Sequence, residues 1–560
     1  ELAPGELALP WDAAAGEQGY VVGEMARSRG AATPIRLVAS AKSWLCHPGV
    51  DRRAAILPSD APPEVERVSP LTASTRYLTH LKRAWDQAHP EAPFAEQAVT
   101  VTIPASFDPA ARELTVEAAK AAGYEGLTLL EEPQAALYSW IQGSAGRWRK
   151  EVKPGDIILA VDVGGGTSDF SLIAVLERDG VLEPHRIAVG EHILLGGDNM
   201  DLALAYMVAR KLAASNTQLD AWQMRSLTYA CRGAKEKLLA DPSLSMLPIV
   251  VPSRGSKLIG GSVRTELTRE EVTSSILEGF FPRVDAAARP AVRARSGLTQ
   301  LGLPYAQDAA VTRHLAAFLG RQVDAAGELE GFAGHLNAGA SFLHPTAVLF
   351  NGGVFKSDVL SSRILDTVND WLAAEGAQPA RLLGGADLDL AVARGAAYYS
   401  YVRRGQGVRI RGGTARSYYL AVESAMPAIP GMEPPIQALC VAPFGMEEGS
   451  EAALPSQLFG LVVGEPVHFR FFGSSTRRHD QIGALLDFWQ PDELQELNEI
   501  QMTLPPEGRQ AGEVVQVALH AKVTEAGTLE LMAVPTSGSE RWKVEFDVRG
   551  AGTGAGAAAA

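Results

Sequence analysis

The stretch Ile157-Ile-Leu-Ala-Val-Asp-Val-Gly-Gly-Gly-Thr-Ser-Asp-Phe-Ser-Leu-Ile-Ala-Val175 constrains the fold of this chain more than any other. Its apolar run 157–161 is too short to cross a membrane and too β-branched for a helix, and residues 170–175 continue the pattern past the glycines. The stretch predicts two buried strands folded about a glycine turn. A plain hairpin satisfies that pattern. The turn also carries a chemical option, because Gly164, Gly165 and Gly166 present successive backbone N–H groups with no Cβ in the way, a concavity suited to a phosphate chain. Asp162 could hold a hydrated Mg²⁺, the Thr167 hydroxyl could meet a terminal phosphate, and Asp169 could bind a second cation or a water.

Composition narrows the partners. The 560 residues are 46% hydrophobic and 21% charged, an ordinary globular balance with room for about two to four domains. A formal net charge of −14 argues against a nucleic-acid or anionic-membrane surface, which needs a clustered positive face. Protein and small-molecule partners remain. Cys46, Cys231 and Cys440 lie far apart and give neither a disulfide framework nor a close metal-ligand pair, so a reducing cytoplasm is the expected home. No apolar run approaches the roughly 18 residues of a spanning helix. The first residue is Glu1, and with no initiating Met the expectation is that the natural N-terminus lies upstream.

Around the hairpin the chain alternates strands and helices. Residues 71–87 predict an amphipathic helix. Residues 99–103 alternate as a strand that Pro104 stops, and Asp108-Pro109 opens a helix to 122 with Gly123 as its C′ residue. Residues 127–130 form a strand, and Glu132-Pro133 opens a helix over 134–141. Glu132 is a helix cap or a carboxylate that orients an attacking water. Lys42, in Ser-Ala-Lys-Ser-Trp-Leu, reads on its own as a solvated lysine on a helix. Residues 189–195 predict a strand, followed by Gly196-Gly197 and a helix over 199–212 whose first N–H groups could approach a nucleotide. The helix over 226–239 carries Arg232, Lys235, Glu236 and Lys237, a mixed run that predicts a wet face. A capping box at Thr268 opens a helix through 280, and another helix holds 310–319. Strand 347–350, the turn Asn351-Gly352-Gly353 and a Ser357-capped helix to 374 repeat the strand, glycine pair and helix order. Asp389 opens a small-residue helix suited to close packing. Residues 405–413 form a glycine-bounded linker, and seven short alternating segments follow (417–422, 437–442, 457–463, 467–472, 513–522, 528–534 and 542–548), so the C-terminal part is all-β.

The order of five strings, Val101-Thr-Ile-Pro-Ala-Ser-Phe-Asp, Glu132-Pro-Gln-Ala-Ala, Val161-Asp-Val-Gly-Gly-Gly-Thr-Ser-Asp, Leu195-Gly-Gly-Asp-Asn-Met-Asp and Ala391-Val-Ala-Arg-Gly-Ala-Ala, resembles the seventy-kilodalton heat-shock chaperones of the actin and sugar-kinase superfamily. The resemblance covers roughly residues 20–405, and the β-part more loosely. It implies a two-lobed actin-like ATPase fold of ribonuclease H-like repeats over 1–404, a linker at 405–414, a sandwich-like polypeptide-binding domain over 415–550 and a low-complexity tail over 551–560. It implies ATP or ADP with Mg²⁺, and K⁺ as a further cation; extended polypeptide and co-chaperones as partners, without nucleic acid or membrane; and a cytoplasmic place. On matching positions, Lys42 and Glu132 look like the catalytic lysine and the water-placing carboxylate, and Asp162, Thr167 and Asp169 like Mg²⁺ and phosphate residues. Pro104 and Arg112 look like the pair that couples nucleotide state to the second domain. Gly196, Gly197, Arg232, Lys235, Gly352, Gly353, Lys356 and Asp389 fall near the nucleotide pocket.

Three departures accompany the resemblance. The family's N-terminal Asp-x-Gly-Thr-Thr turn is not in these residues and is expected upstream. Val408-Arg-Ile-Arg411 replaces an acidic, leucine-rich linker, and only a Gly/Ala tail stands where a helical lid is expected. The alternative of a different class is a nucleotide-gated interaction protein with little turnover and a dedicated partner.

Overall fold

The computed structural model describes residues 8–9, 11, 18–47, 49–59, 61–104, 107, 109–178, 180–190, 193–251, 262–291, 303–323, 339–385, 387–410, 414, 417–423, 435–447, 449–454, 458–474, 477, 479–490, 493–497, 500–506, 508–524 and 528–547. The Asp108 cap, the turn at 525–527, residues 411–413 of the expected linker and the tail lie outside them. The chain divides into two compact units, one holding residues 1–128, 132–182 and 190–408, the other 129–131, 183–189 and 409–560.

In the first unit the glycine-turn hairpin forms as its apolar runs require. Ile157–Val163 pairs antiparallel with Ser168–Arg178, Val161 opposite Phe170 and Asp162 opposite Asp169. Both strands are buried almost continuously, the pattern of a sheet covered on both faces. Ala347–Asn351 lies parallel on the other side of Ile157–Val163, with Asn351 beside Asp162, and Arg381–Leu382 runs parallel beyond it. The expected small-residue helix is Ala391–Val402, and it packs against Glu132–Gly143. A Cβ on Gly395 would lie 1.6 Å from the Ala135 carbonyl oxygen, so the approach is too close for any side chain. Tyr138 and Tyr399 continue that interface with ring centroids 5.3 Å apart.

Most of the other expected elements form with ordinary end signals. Pro70–Ala88 starts at Ser69, whose hydroxyl accepts the Thr72 N–H, with proline at N1. Pro109–Ala121 is followed by Gly123 at φ 85°. Arg269–Phe280 begins with the Thr268–Glu271 capping box.

Several expectations give way. The strand expected over 189–195 is displaced: the strand is Val181–Val189, and among the described residues that follow Ile193 makes only an isolated bridge to Ser168. Ser357 precedes Asp358–Ala374 but its buried hydroxyl caps nothing. The small-residue helix starts two residues after Asp389, and Asp387 takes the turn, its carboxylate accepting the N–H groups of Asp389 and Leu390.

The second unit carries the expected β-rich part. Ser417–Glu423 sits between Ile436–Ala442 and Phe471–Ser474 in one five-stranded sheet, and Val514–Val523, Thr528–Pro535 and Trp542–Asp547 run consecutively in another. Tyr418, Leu420, Leu439 and Phe471 from the first sheet share one core with Val515, Val517, Leu519, Leu531 and Trp542 from the second. The first sheet is apolar on its other face as well, where Tyr419, Ala438, Cys440, Phe472 and Leu486 pack with Ala484, Trp489 and Leu494. The run expected as one strand over 467–472 is two: Pro466–Phe469 pairs with Ile500–Thr503, and Phe471–Ser474 pairs with Ser417–Leu420.

Candidate active site

The hairpin register delivers the first pair of groups. Asp162 and Asp169 oppose each other across the two strands, so their side chains leave the sheet on the same face. Burial raises the Asp162 carboxyl, with Glu132 adding to it against the Asn351 hydrogen bond and Lys42, to about 6. Burial likewise raises Asp169, helped by Asp162 and Glu132 and opposed by Lys42 and the Thr167 hydroxyl, to about 7.

Glu132 comes from the junction where the strand Thr128–Glu131 turns into Glu132–Gly143, and Lys42 from the short helix Ala41–Leu45. Lys42 Nζ donates to Glu132 Oε1 at 2.5 Å. The Lys42 side chain is half exposed. Burial lowers the pKa of its ammonium, and Glu132, with smaller contributions from Asp169 and Asp162, outweighs that and raises it. Three carboxylates around one ammonium leave an excess of negative charge that a cation would relieve. Among the described residues no group of three or more His, Cys, Asp or Glu side chains is placed to hold a metal unaided. That donor set fits a hydrated Mg²⁺, which takes most of its ligands from water and phosphate.

The glycine turn adds donors. The Gly164 N–H is used internally, on the Thr167 carbonyl at 2.9 Å. Those of Gly165 and Gly166 meet no acceptor among the described residues.

Gly196 and Gly197 act differently from the expectation that their helix presents free N–H groups. The Gly197 N–H donates to the Gly164 carbonyl at 3.0 Å and the Asp198 N–H to the Gly165 carbonyl at 2.7 Å, so the helix Gly197–Ala214 spends its first donors holding the glycine turn. A Cβ on Gly196 would lie 2.6 Å from the Gly165 oxygen, which is why glycine stands there.

The helix Ala221–Ala240 also departs from its expected wet face. Lys235 is buried and pairs with Asp201 at 2.6 Å. Arg232 donates to Asp201 at 2.8 Å and pairs with Asp198. Asp198 and Asp201, on the neighbouring helix, stand in the sequence inside a matching string but with no role of their own; the acidic i, i+3 pair had to be matched with the basic i, i+3 pair for that role to be found.

Gly352 and Gly353 follow Asn351, and Gly352 has φ 90°, a conformation that favours glycine. Lys356 pairs with Asp389 at 2.5 Å, both more than half exposed. Pro104 is buried at the end of Thr100–Ile103, and Arg112 is buried on Pro109–Ala121. Asn351, whose amide reaches Asp162, was hidden in the sequence as a turn residue before two glycines.

The family described as Hsp70 protein matches residues 54–296. The chain is similar to a "Chaperone protein HscA homolog" of Pseudomonas fluorescens, 34% identical over 195 residues, which is 34% of this chain and 27% of that protein. It is also similar to one of Pseudomonas aeruginosa, 30% identical over 307 residues, 52% of this chain and 44% of that protein. A "Chaperone protein dnaK" of Thalassiosira pseudonana is 30% identical over 212 residues, 36% of this chain and 32% of that protein. The match thus spans less than half the length of each of these relatives.

Proposed function

We propose that this chain, whose residues 54–296 match the family described as Hsp70 protein, binds ATP with a divalent cation, hydrolyses it, and uses the nucleotide state to control binding of extended polypeptide. The observation that carries the reading is the convergence of Lys42, Glu132, Asp162 and Asp169 beside a glycine turn with two unengaged N–H groups.

In this reading the N–H groups of Gly165 and Gly166 and the Thr167 hydroxyl bind phosphate oxygens. Asp162 and Asp169 would hold a hydrated Mg²⁺, which would supply positive charge to the phosphate chain, and K⁺ would be a further cation. Glu132 accepts a hydrogen bond from a water and aims it in line with the terminal phosphorus, while Lys42 places positive charge on the oxygens where negative charge builds. A water oxygen–phosphorus bond forms, the bond to the β–γ bridging oxygen breaks, and ADP and phosphate leave. Lys356, Asp389, Gly352 and Gly353 lie toward the nucleoside. Arg232 and Lys235 shape the pocket through Asp198 and Asp201. Pro104 and Arg112 couple nucleotide state to polypeptide binding.

The same reading carries a two-lobed actin-like arrangement for residues 1–404 and a sandwich-like polypeptide-binding domain over 415–550. Co-chaperones are partners and the cytoplasm is the compartment.

Single-turnover hydrolysis tests the catalytic roles. Lys42→Ala and Thr167→Ala should each slow the chemical step by about 10²-fold while the fold persists, as loss of one preorganised contact does. Unchanged rates in both variants would remove the catalytic assignment. Nucleotide binding without turnover in the unsubstituted chain would replace it by nucleotide-gated interaction.

A further inference from the structure

Asn351 ends the strand Ala347–Asn351 in parallel register with Asp162, and it is buried, 5% exposed. Its Nδ2 donates to Asp162 Oδ2 at 2.6 Å. A carboxylate only accepts, so the amide must turn its nitrogen to Asp162. The price is paid by the other end: Asn351 Oδ1 is buried with no partner among the described residues, a state that burial penalises. A leucine of nearly the same shape would remove that penalty. The polar residue is therefore kept against the preference of the core, and the contact that distinguishes it from leucine is its donation to Asp162.

The backbone fixes the amide further. A Cβ on Gly352 would lie 2.3 Å from the Val163 carbonyl oxygen and 2.7 Å from Asp162 Oδ1. The chain following Asn351 is thus pressed against the strand that bears Asp162, and both carboxylate oxygens of Asp162 meet the 351–352 segment.

We infer that Asn351 is a positioning residue for cation-dependent nucleotide binding, holding Asp162 in one orientation so that its carboxylate meets the hydrated cation that accompanies the phosphates. The inference rests on the Mg²⁺-nucleotide reading of the site and adds a residue to it. Outer partners of ligating carboxylates fix their orientation, and their loss costs about 10- to 100-fold in metal affinity.

The experiment is equilibrium binding of ADP to the full chain with Mg²⁺ and with EDTA, together with the Tm of the nucleotide-free protein. The unsubstituted chain should bind more tightly with Mg²⁺. In Asn351→Leu that enhancement should shrink about tenfold or more, while the affinity in EDTA stays within about twofold and Tm holds or rises. A purely structural residue would instead lower Tm and both affinities together. Asn351→Ala, which removes the donor without adding charge, should lose the enhancement likewise and decides the matter if Asn351→Leu does not fold. Full Mg²⁺ enhancement in a folded variant overturns the inference. An unsubstituted chain whose ADP affinity ignores Mg²⁺ overturns the underlying site reading instead, and the role of Asn351 with it.

Discussion

Asp156, just before the strand Ile157–Val163, is buried and its carboxylate accepts from the Lys153 N–H and the Thr346 hydroxyl, both at 2.8 Å, and from the Arg381 guanidinium. Burial raises its pKa, but the Arg381 bond and the two smaller ones outweigh that and lower it. A carboxyl depressed in the folded chain contributes stability that is present above the unfolded carboxylate pKa and is lost as pH falls through the folded value. Asp156→Asn should therefore cost about 2 kcal/mol at pH 7, and the cost should shrink in acid. Urea unfolding at pH 7 and pH 3 checks this, and an equal cost at both would contradict it. Residues such as Asp156 were not legible in the sequence, because their partners at 346 and 381 are remote in the chain. Lys42 and Glu132 were legible only through the strings around them; that Lys42 pairs with Glu132 follows from the fold alone. Lys235 shows the same limit in reverse, since the local charge run gives no hint that a remote Asp201 draws it inward.

Elements were more legible than single contacts, and the failures have particular causes. The strand Val181–Val189 contains Pro184, a residue that argues locally against a strand. The run over 467–472 looks uniform, but Arg470 divides it between partners at 500–503 and at 417–420, and no local pattern carries that information. Small residues at 391–397 did predict close packing, and Gly395 against Ala135 gives it a magnitude. Gly395→Ala should destabilise by about 3 kcal/mol or more, because the methyl would meet backbone that cannot rotate away. Gly233→Ala, in the helix Ala221–Ala240 with nothing within 4 Å of the added methyl, should stabilise by about 0.8 kcal/mol through helix propensity. Denaturant midpoints of the two variants should move in opposite directions, and a shared sign would contradict the packing argument.

At the scale of the whole molecule, the α/β and all-β division was legible because the hydrophobic period changes after residue 413, whereas the pairing order within the β-rich part was not. The proposed control of polypeptide by nucleotide must be reciprocal in binding free energy. Labelled unfolded polypeptide should bind the full chain with micromolar-scale affinity, about −8 kcal/mol, and the factor by which ATP weakens it should equal the factor by which polypeptide weakens ATP. Anisotropy titrations in both directions measure the two factors, and an absence of either effect would leave the dedicated-partner reading in place. Phe459–Val462 has one strand neighbour, Val514–Val517, among the described residues, so its other edge is where an added chain would be sought. The sheet built on Ser417–Glu423 has a second consequence. Its outer apolar face is covered by Ala484, Trp489 and Leu494, which leave the ribosome well after Ile436–Ala442. At about 5–20 residues per second that face waits uncovered for roughly 3 to 10 seconds of synthesis. A protein read as a chaperone thus passes, during its own birth, through an interval in which it is itself a client.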